Sequence, residues 1–236
     1  MSTSSTLLAE APAEASALGR FDGFHNIHKA LRAAMAQVLV KTGQVDVADA
    51  ADVAATAEAV RGLLALCVAH LAKEDTFIQP AMEARRPGSA QERASEHRHH
   101  EAAFRHLRDL VEGFEGRPTP ATAALLYRGV AVFMADNLLH MEQEESHDNA
   151  VLWDAHTDEE LMELEGRLVA SLKPEELAAA FRVMIPALAP AERAEFLAGI
   201  RAKAPDPVFE GLVGLALSVL PEPAAARLRA DLGFGF

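Results

Sequence analysis

The sequence predicts an all-α protein, an antiparallel four-helix up-down bundle followed by a C-terminal helical extension. Half of the 236 residues are hydrophobic while only 6% are aromatic, and the abundant Ala, Leu and Glu are strong helix formers. Apolar residues recur at steps of three and four through four blocks before residue 150, as on one face of a helix. Short polar breaks separate these blocks, which makes consecutive helices antiparallel neighbours.

The first two predicted helices are defined by their apolar faces. Apolar residues at 21, 24, 31, 35 and 38 begin the first helix near Phe21, and Thr42-Gly43 ends it. The second helix covers about residues 53–84. Pro80 lies near its end, where a proline kinks or shortens a helix.

The third and fourth helices are recognised by their starts. The segment "RRPGSAQE" predicts a turn followed by a capping box from Ser89 to Glu92. The segment "GRPTPA" predicts Thr119 as the N-cap of the fourth helix and Pro120 as its first residue. This helix reaches about residue 147.

The chain divides into three predicted parts. Residues 1–19 form a flexible tail, residues 20–149 form the bundle with its metal site, and residues 150–236 form a C-terminal helical region. The C-terminal region has prolines near the starts of about five short helices and a capping box from Thr157 to Glu160. It contains no metal-ligand pattern, so we expect it to support the bundle, bind a protein partner or self-associate.

The bundle half contains an internal repeat rich in histidine. "HNIHKALR" begins at residue 25 and "HRHHEAAFR" at residue 97, and both carry two histidines three residues apart. "HLAKED" begins at residue 70 and "HMEQEE" at residue 140, and both carry a histidine four residues before a glutamate. We expect two helical hairpins, each made of one helix with the His-x-x-His motif and one helix with the His-x-x-x-Glu motif.

The His-x-x-x-Glu pairs predict a cation in the core. Residues four apart lie about 40° apart around a helix, so His70 projects beside Glu74 and His140 beside Glu144. Both pairs lie on apolar stripes, and a buried carboxylate without a compensating charge is costly. The other two helices offer only imidazoles at these levels. Imidazoles and carboxylates that converge in a bundle core are metal ligands, and this set suits two divalent cations bridged by both glutamates.

These four motifs, in this order, resemble the hemerythrin-like (HHE cation-binding) proteins over about residues 21–148. The resemblance implies a four-helix bundle with a non-haem centre of two iron ions, oxo- or hydroxo-bridged. The ligands that it implies are His28 and His70 on one iron, His100 and His140 on the other, and Glu74 and Glu144 as bridges.

The sequence departs from the oxygen-carrying members of that family in two places. Those proteins have a second histidine four residues before the ligand on the third helix, where this chain has Glu96. Their fourth helix carries His-x-x-x-x-Asp, whereas His140 is followed by Glu144 and Glu145. His25 and His97 lie three residues before predicted ligands and stay open as additional ligands, as donors that hydrogen-bond to a ligand, or as ordinary histidines at the rim of the site.

Two other kinds of metal centre use the same donor types. A ferritin-like centre uses Glu-x-x-His motifs and a glutamate from each of the other two helices. Residues 23–45 contain no Glu or Asp, so the first helix cannot supply that glutamate. The donor types do not exclude zinc or manganese in place of iron.

Composition excludes several classes of function. The net charge of −13 argues against nucleic acid and anionic membranes as partners. A single cysteine, Cys67, predicts a reducing compartment, and the N-terminus lacks the basic start of a signal peptide. No stretch has 18 uninterrupted apolar residues, so we expect a cytoplasmic protein without a membrane span.

No nucleophile–base constellation or phosphate-binding loop is visible. We therefore expect a protein that binds or senses O₂, NO or redox state. A di-iron enzyme acting on O₂, peroxide or NO, and an iron-storage or iron-sensing protein, are the alternatives.

Overall fold

The computed structural model describes residues 19–233, and 83% of this part is helical, with no strand in it. The predicted all-α class is confirmed, while residues 1–18 of the predicted tail lie outside the described residues. In chain order the α-helices of the described part are α1 (His25–Gly43), α2 (Ala50–Lys73), α3 (Gln79–Arg85), α4 (Gln91–Gly116), α5 (Pro120–Gln143), α6 (Asn149–Ala155), α7 (Asp158–Ala170), α8 (Pro174–Ala187), α9 (Pro190–Arg201), α10 (Asp206–Ser218) and α11 (Glu222–Asp231).

Two long helical runs each contain a π-helical segment. Glu74–Ile78 joins α2 to α3, and Glu144–Asp148 joins α5 to α6. Both runs also have the length and apolar character of a membrane span, a weak indication that core helices of soluble proteins share. The expectation that the chain has no membrane partner stays a prediction.

One compact unit comprises residues 19–25 and Met35–Ser171 within the described range. In this unit α4 packs against both α2 and α5, and α3 packs against α6. Gly129 allows α4 and α5 to approach closely, because a Cβ at this position would clash with the side chain of Leu110.

Two of the predicted helix caps are confirmed and one is wrong, and α1 begins at His25 rather than near Phe21. Thr119 and Thr157 both accept the expected capping hydrogen bonds at the starts of α5 and α7. The capping box predicted at Ser89 is wrong, because the N-cap of α4 is Ala90 and makes no side-chain cap. The carboxylate of Glu83 on α3 instead accepts hydrogen bonds from the backbone N–H groups of Gly88 and Ala90, at 2.8 and 2.9 Å. Gly88 has a φ of 90°, which only glycine adopts readily, and the tight turn brings these amides to the end of α3.

The second compact unit comprises residues 26–34 and the C-terminal helices from Leu172 onward. Its core is formed by buried side chains of α8 to α11: Phe181, Ile185, Leu197, Phe209, Val213, Ala216 and Leu228. The buried guanidinium of Arg193 donates hydrogen bonds to the carbonyl oxygens of Ile185 and Leu188, at 2.9 and 2.8 Å. These bonds satisfy acceptors that the end of α8 leaves open.

Candidate metal centre

Four buried side chains converge inside the first unit. They are Glu74, His97, His140 and Glu144, and one ligand atom from each lies within 4.8 Å of the others. Nε2 of His140 lies 3.1 Å from a carboxylate oxygen of Glu144. Nε2 of His97 lies 3.8 Å from carboxylate oxygens of both Glu74 and Glu144. The imidazoles of His97 on α4 and His140 on α5 therefore face the carboxylates of Glu74 and Glu144.

The two glutamates occupy equivalent positions in the two long runs. Glu74 and Glu144 are each the first residue of a π-helical segment. Their carbonyl oxygens accept hydrogen bonds from the backbone N–H groups of Gln79 and Asn149, five residues later. A π-turn inserts an extra residue into a helix and often marks a functional site. The internal repeat therefore extends from the sequence motif to the backbone at the site.

A second group of possible ligand atoms shares both glutamates. Ligand atoms of His70, Glu74 and Glu144 lie within 4.8 Å of one another, and Nε2 of His70 is 2.9 Å from Oε1 of Glu74. His28 is fully buried on α1; its role as a ligand, like the bridging role of the glutamates, stays a prediction.

In both His97 and His140, the ring nitrogen Nδ1 contacts a carboxylate. Nδ1 of His97 lies 2.7 Å from Oδ1 of Asp75, and Nδ1 of His140 lies 2.9 Å from Oε2 of Glu96. The Nε2 atoms of both rings make no hydrogen bond within residues 19–233. Metal-bound histidines usually donate their remaining N–H to a carboxylate, which sets the tautomer and the ring orientation. Both rings therefore present a nitrogen to the cluster in the manner of metal ligands.

A buried arginine supports the acid behind His140. Arg93 forms an ion pair with Glu96, donates a hydrogen bond of 2.8 Å to Gln143, and places Nε 3.2 Å from Oδ2 of Asp148. Sequence reasoning missed both Arg93 and Asp148. The spacing of Arg93 one turn before both Glu96 and His97 is the only local signal for it.

Burial and neighbouring acids act against each other on His97. Burial alone lowers its pKa, but the carboxylates of Glu144, Glu74 and Asp75 raise the pKa of His97 to about 9. In the same way burial lowers the pKa of His140, while Glu144 and Glu96 raise it above its ordinary value. The raised pKa of His97 favours its protonated form, whose charge partly balances the buried acids.

The pKa of Glu144, which lies close to both histidines, is lowered rather than raised. Burial and the charge of Glu74 raise the pKa of Glu144, but His140 and His97 lower it below its ordinary value. The carboxylate form is the one that binds a cation. Because a cation binds deprotonated ligands, it would replace the protons of these imidazoles as the compensating charge.

His100 is the other buried histidine of α4 near the cluster. It is buried on α4, but it lies outside both groups of converging ligand atoms. Its ring centroid is 4.5 Å from that of His140, and burial together with His140 and His97 lowers the pKa of His100 to about 4. His97, which the sequence left open as an additional ligand, a hydrogen-bond donor to a ligand or a rim residue, lies inside the cluster. The assignment of His100 as a ligand stays a prediction, and His25 is exposed on α1.

The residues of the cluster fit a divalent transition metal. Imidazole nitrogens suit iron, zinc and copper, and carboxylates extend the set to manganese. The ring nitrogens without hydrogen bonds and the carboxylate oxygens lie close enough together to share ions. An all-helical protein with this buried donor set belongs to the class of helical metal-binding proteins.

Comparison with known families agrees with that class. Residues 21–152 match the model of the hemerythrin HHE cation binding domain, and the chain belongs to this family. Comparisons with curated proteins and with solved structures give no significant match.

Proposed function

We propose that the chain is a non-haem di-iron protein that binds or senses O₂, NO or redox state. The observation that carries this proposal is the sharing of Glu74 and Glu144 by two groups of ligand atoms. Two carboxylates that serve both groups suit a pair of ions better than a single one. Membership of the hemerythrin HHE family supports iron as the metal.

The proposed centre lies within an antiparallel four-helix bundle formed by α1, the α2–α3 run, α4 and the α5–α6 run. His70 belongs to one ion, and His97 and His140 belong to the other. His28 and His100 complete the set that the family resemblance implies. When bound, the iron supplies reversible binding of a diatomic ligand or a one-electron redox change.

The protein's own residues make the site histidine-rich and hold its rings in place. The carboxylates of Asp75 and Glu96 orient His97 and His140, and Arg93 holds Glu96. Neutral imidazoles contribute no negative charge, so the centre carries less negative charge than a site of carboxylates alone. Such a site favours reversible binding over stabilisation of highly oxidised iron, and this supports a binding protein over an oxidative enzyme.

The test is metal analysis of protein purified without oxygen, followed by optical spectra before and after exposure to air. We expect a pair of irons per chain and near-ultraviolet absorption from the oxidised pair. His97→Ala and His140→Ala are expected to reduce the iron content, whereas His99→Ala, an exposed position on the same helix as His97, keeps it. Zinc in the purified protein, with no iron bound on reconstitution, would contradict the proposal.

Stopped-flow mixing of the reduced protein with O₂ or NO separates a binding protein from an enzyme. A binding protein gives one spectral change per site that reverses when the gas is removed. Multiple turnovers of O₂, peroxide or NO that His140→Ala abolishes would instead favour the enzyme alternative.

A further inference from the structure

α5 carries an apolar face that points to solvent. Leu125, Val132 and Leu139 are 53%, 62% and 60% exposed, and they follow one another every seven residues along one side of the helix. The exposed residues that define this surface, called the α5 face below, are Leu125, Arg128, Val132, Ala135, Leu139 and Glu142. A contiguous stripe of exposed aliphatic side chains marks an interaction site, whereas single exposed ones do not.

The spacing of the α5 face is that of a helix–helix contact. Its residues alternate at steps of three and four, as in the seam between two packed helices. Its exposed charges are Arg128 and Glu142, which lie about two turns to either side of Ala135, and the half-buried Asp136 borders it. Neither Arg128 nor Glu142 makes an ion pair or a hydrogen bond within the described part of the chain.

We propose that the α5 face binds the α5 face of a second copy of this chain, in antiparallel orientation and centred on Ala135. In this orientation Arg128 of each copy meets Glu142 of the other, so two ion pairs form by symmetry. A parallel arrangement would place Arg128 against Arg128 and Glu142 against Glu142. Within one helix the two charges are about 21 Å apart, too far to pair with each other.

Side-chain size favours the same arrangement. Ala135 lies at the crossing point, where a small side chain lets two helices approach to the short end of the usual 8–10 Å separation. Val132 and Leu139 flank the crossing and lose their exposed surface on pairing. A two-fold interface uses the same patch on both copies, and the placement of Arg128 and Glu142 makes the two ends of the α5 face complementary in charge.

A lipid bilayer is the competing occupant of an apolar helix face. The charge-free stretch of the α5 face runs only from Val132 to Leu139, about 10 Å along the helix. Arg128 and Glu142 border this stretch, and opposite charges at matched distances serve a protein partner better than a hydrocarbon phase. A second copy is therefore favoured.

Analytical ultracentrifugation of the full chain over a range of concentrations tests the proposal. We expect a dimer for the unaltered chain. Arg128→Glu and Glu142→Arg each place like charges together at both ends of the interface, and each raises the dimer dissociation constant by about tenfold or more. The double variant Arg128→Glu/Glu142→Arg reverses both partners and restores the dimer.

Mixing the two single variants gives a sharper result. The Arg128→Glu chain is acidic at both positions and the Glu142→Arg chain is basic at both, so we expect them to form a mixed dimer although neither associates with itself. Arg105→Glu, at an exposed position on α4, makes the same change in net charge as Arg128→Glu and is expected to leave the dimer intact. Circular dichroism melting verifies that each variant is folded.

A chain that stays monomeric at all concentrations overturns the proposal, and so does a dimer that is insensitive to both reversals. A monomer that sediments with phosphatidylcholine vesicles, and loses this binding on Val132→Glu, would assign the α5 face to a membrane instead.

Discussion

Nδ1 of His97 lies 2.7 Å from Oδ1 of Asp75, although the two residues belong to different helical runs. This contact turns Nε2 of His97 toward the buried carboxylates of Glu74 and Glu144. In the same way, Oε2 of Glu96 lies 2.9 Å from Nδ1 of His140 and turns Nε2 of that ring toward the cluster. Acids outside the cluster thus determine which nitrogens face it.

Removing either orienting acid is expected to weaken metal binding without removing a ligand. Asp75→Asn and Glu96→Gln keep the size of the side chain but lose the charge that fixes the ring. We expect a loss of about 10–100-fold in metal affinity for each, measured by anaerobic competition with a chromophoric chelator. Glu101→Gln, at an exposed position on α4, is the matched control. Equal affinities for all three variants would show that these acids do not orient the rings.

The position of His97 within the cluster predicts that substitution of His97 lowers metal content, whereas substitution of the nearby His99 does not. His97→Ala removes a buried ring nitrogen from the group, whereas His99→Ala changes an exposed residue two positions later on the same helix. We expect metal content per chain to fall in the first variant and to stay unchanged in the second. A His97→Ala protein that retains full metal content would remove this residue from the site.

His100→Ala decides the role that the sequence predicted for that residue. Because the proposed centre includes His100, we expect its loss to lower metal content as His97→Ala does. If it only packs against His140, from whose ring centroid its own lies 4.5 Å, metal content stays and the melting temperature falls. Both quantities are measured on the same preparation.

Metal removal is expected to lower the melting temperature. A ligand that binds only the native state stabilises it by about 2.7 kcal/mol when its free concentration is 100 times its dissociation constant. Differential scanning calorimetry before and after chelation measures this shift. The double variant Glu74→Gln/Glu144→Gln lacks both buried carboxylates and is expected to melt at the same temperature with and without chelator. A large chelation effect in that variant would place the stabilising metal elsewhere.

The ion pair between Arg85 and Glu160 predicts a low pKa for Glu160 that does not depend on the metal site. Hydrogen bonds from Arg85 and from the backbone of Thr157 lower the pKa of Glu160 to about 2. Because the folded pKa lies below the unfolded value, the stabilisation from this group is present above about pH 4.3 and is lost as the pH falls toward 2. Both side chains are exposed, so the effect on unfolding is small and the pKa itself is the better measurement.

Carboxyl-carbon NMR of Glu160 gives that pKa directly. We expect Arg85→Ala to raise it toward the ordinary value of a glutamate. Arg86→Ala changes the adjacent arginine, which pairs with Asp154, and is expected to leave Glu160 unchanged. An unshifted Glu160 in the unaltered protein would contradict this contact.

Much of the helical structure could be predicted because its signals are local. Apolar periodicity and the caps at Thr119 and Thr157 depend on residues a few positions apart, and the structure confirms both caps. The cap at Ser89 failed: α4 starts one residue later, and a more distant acid, Glu83, accepts the hydrogen bonds of Gly88 and Ala90 across the turn. A local motif cannot show that an acceptor from another helix lies beside the start of α4.

The sequence by itself determined the all-helical class, the family and the repeated His-x-x-x-Glu motif, because each depends on the spacing and order of residues along the chain. Only the tertiary structure decided that His97 lies inside the cluster and His100 beside it. The two positions differ by about 60° around α4, so both fit a broad inward face. Rotation of a helix about its axis depends on the neighbours that pack against it, and no pattern within α4 specifies those neighbours. For the same reason the sequence did not predict the contact between Arg93 and Asp148. This contact joins α4 to the end of the π-helical segment Glu144–Asp148.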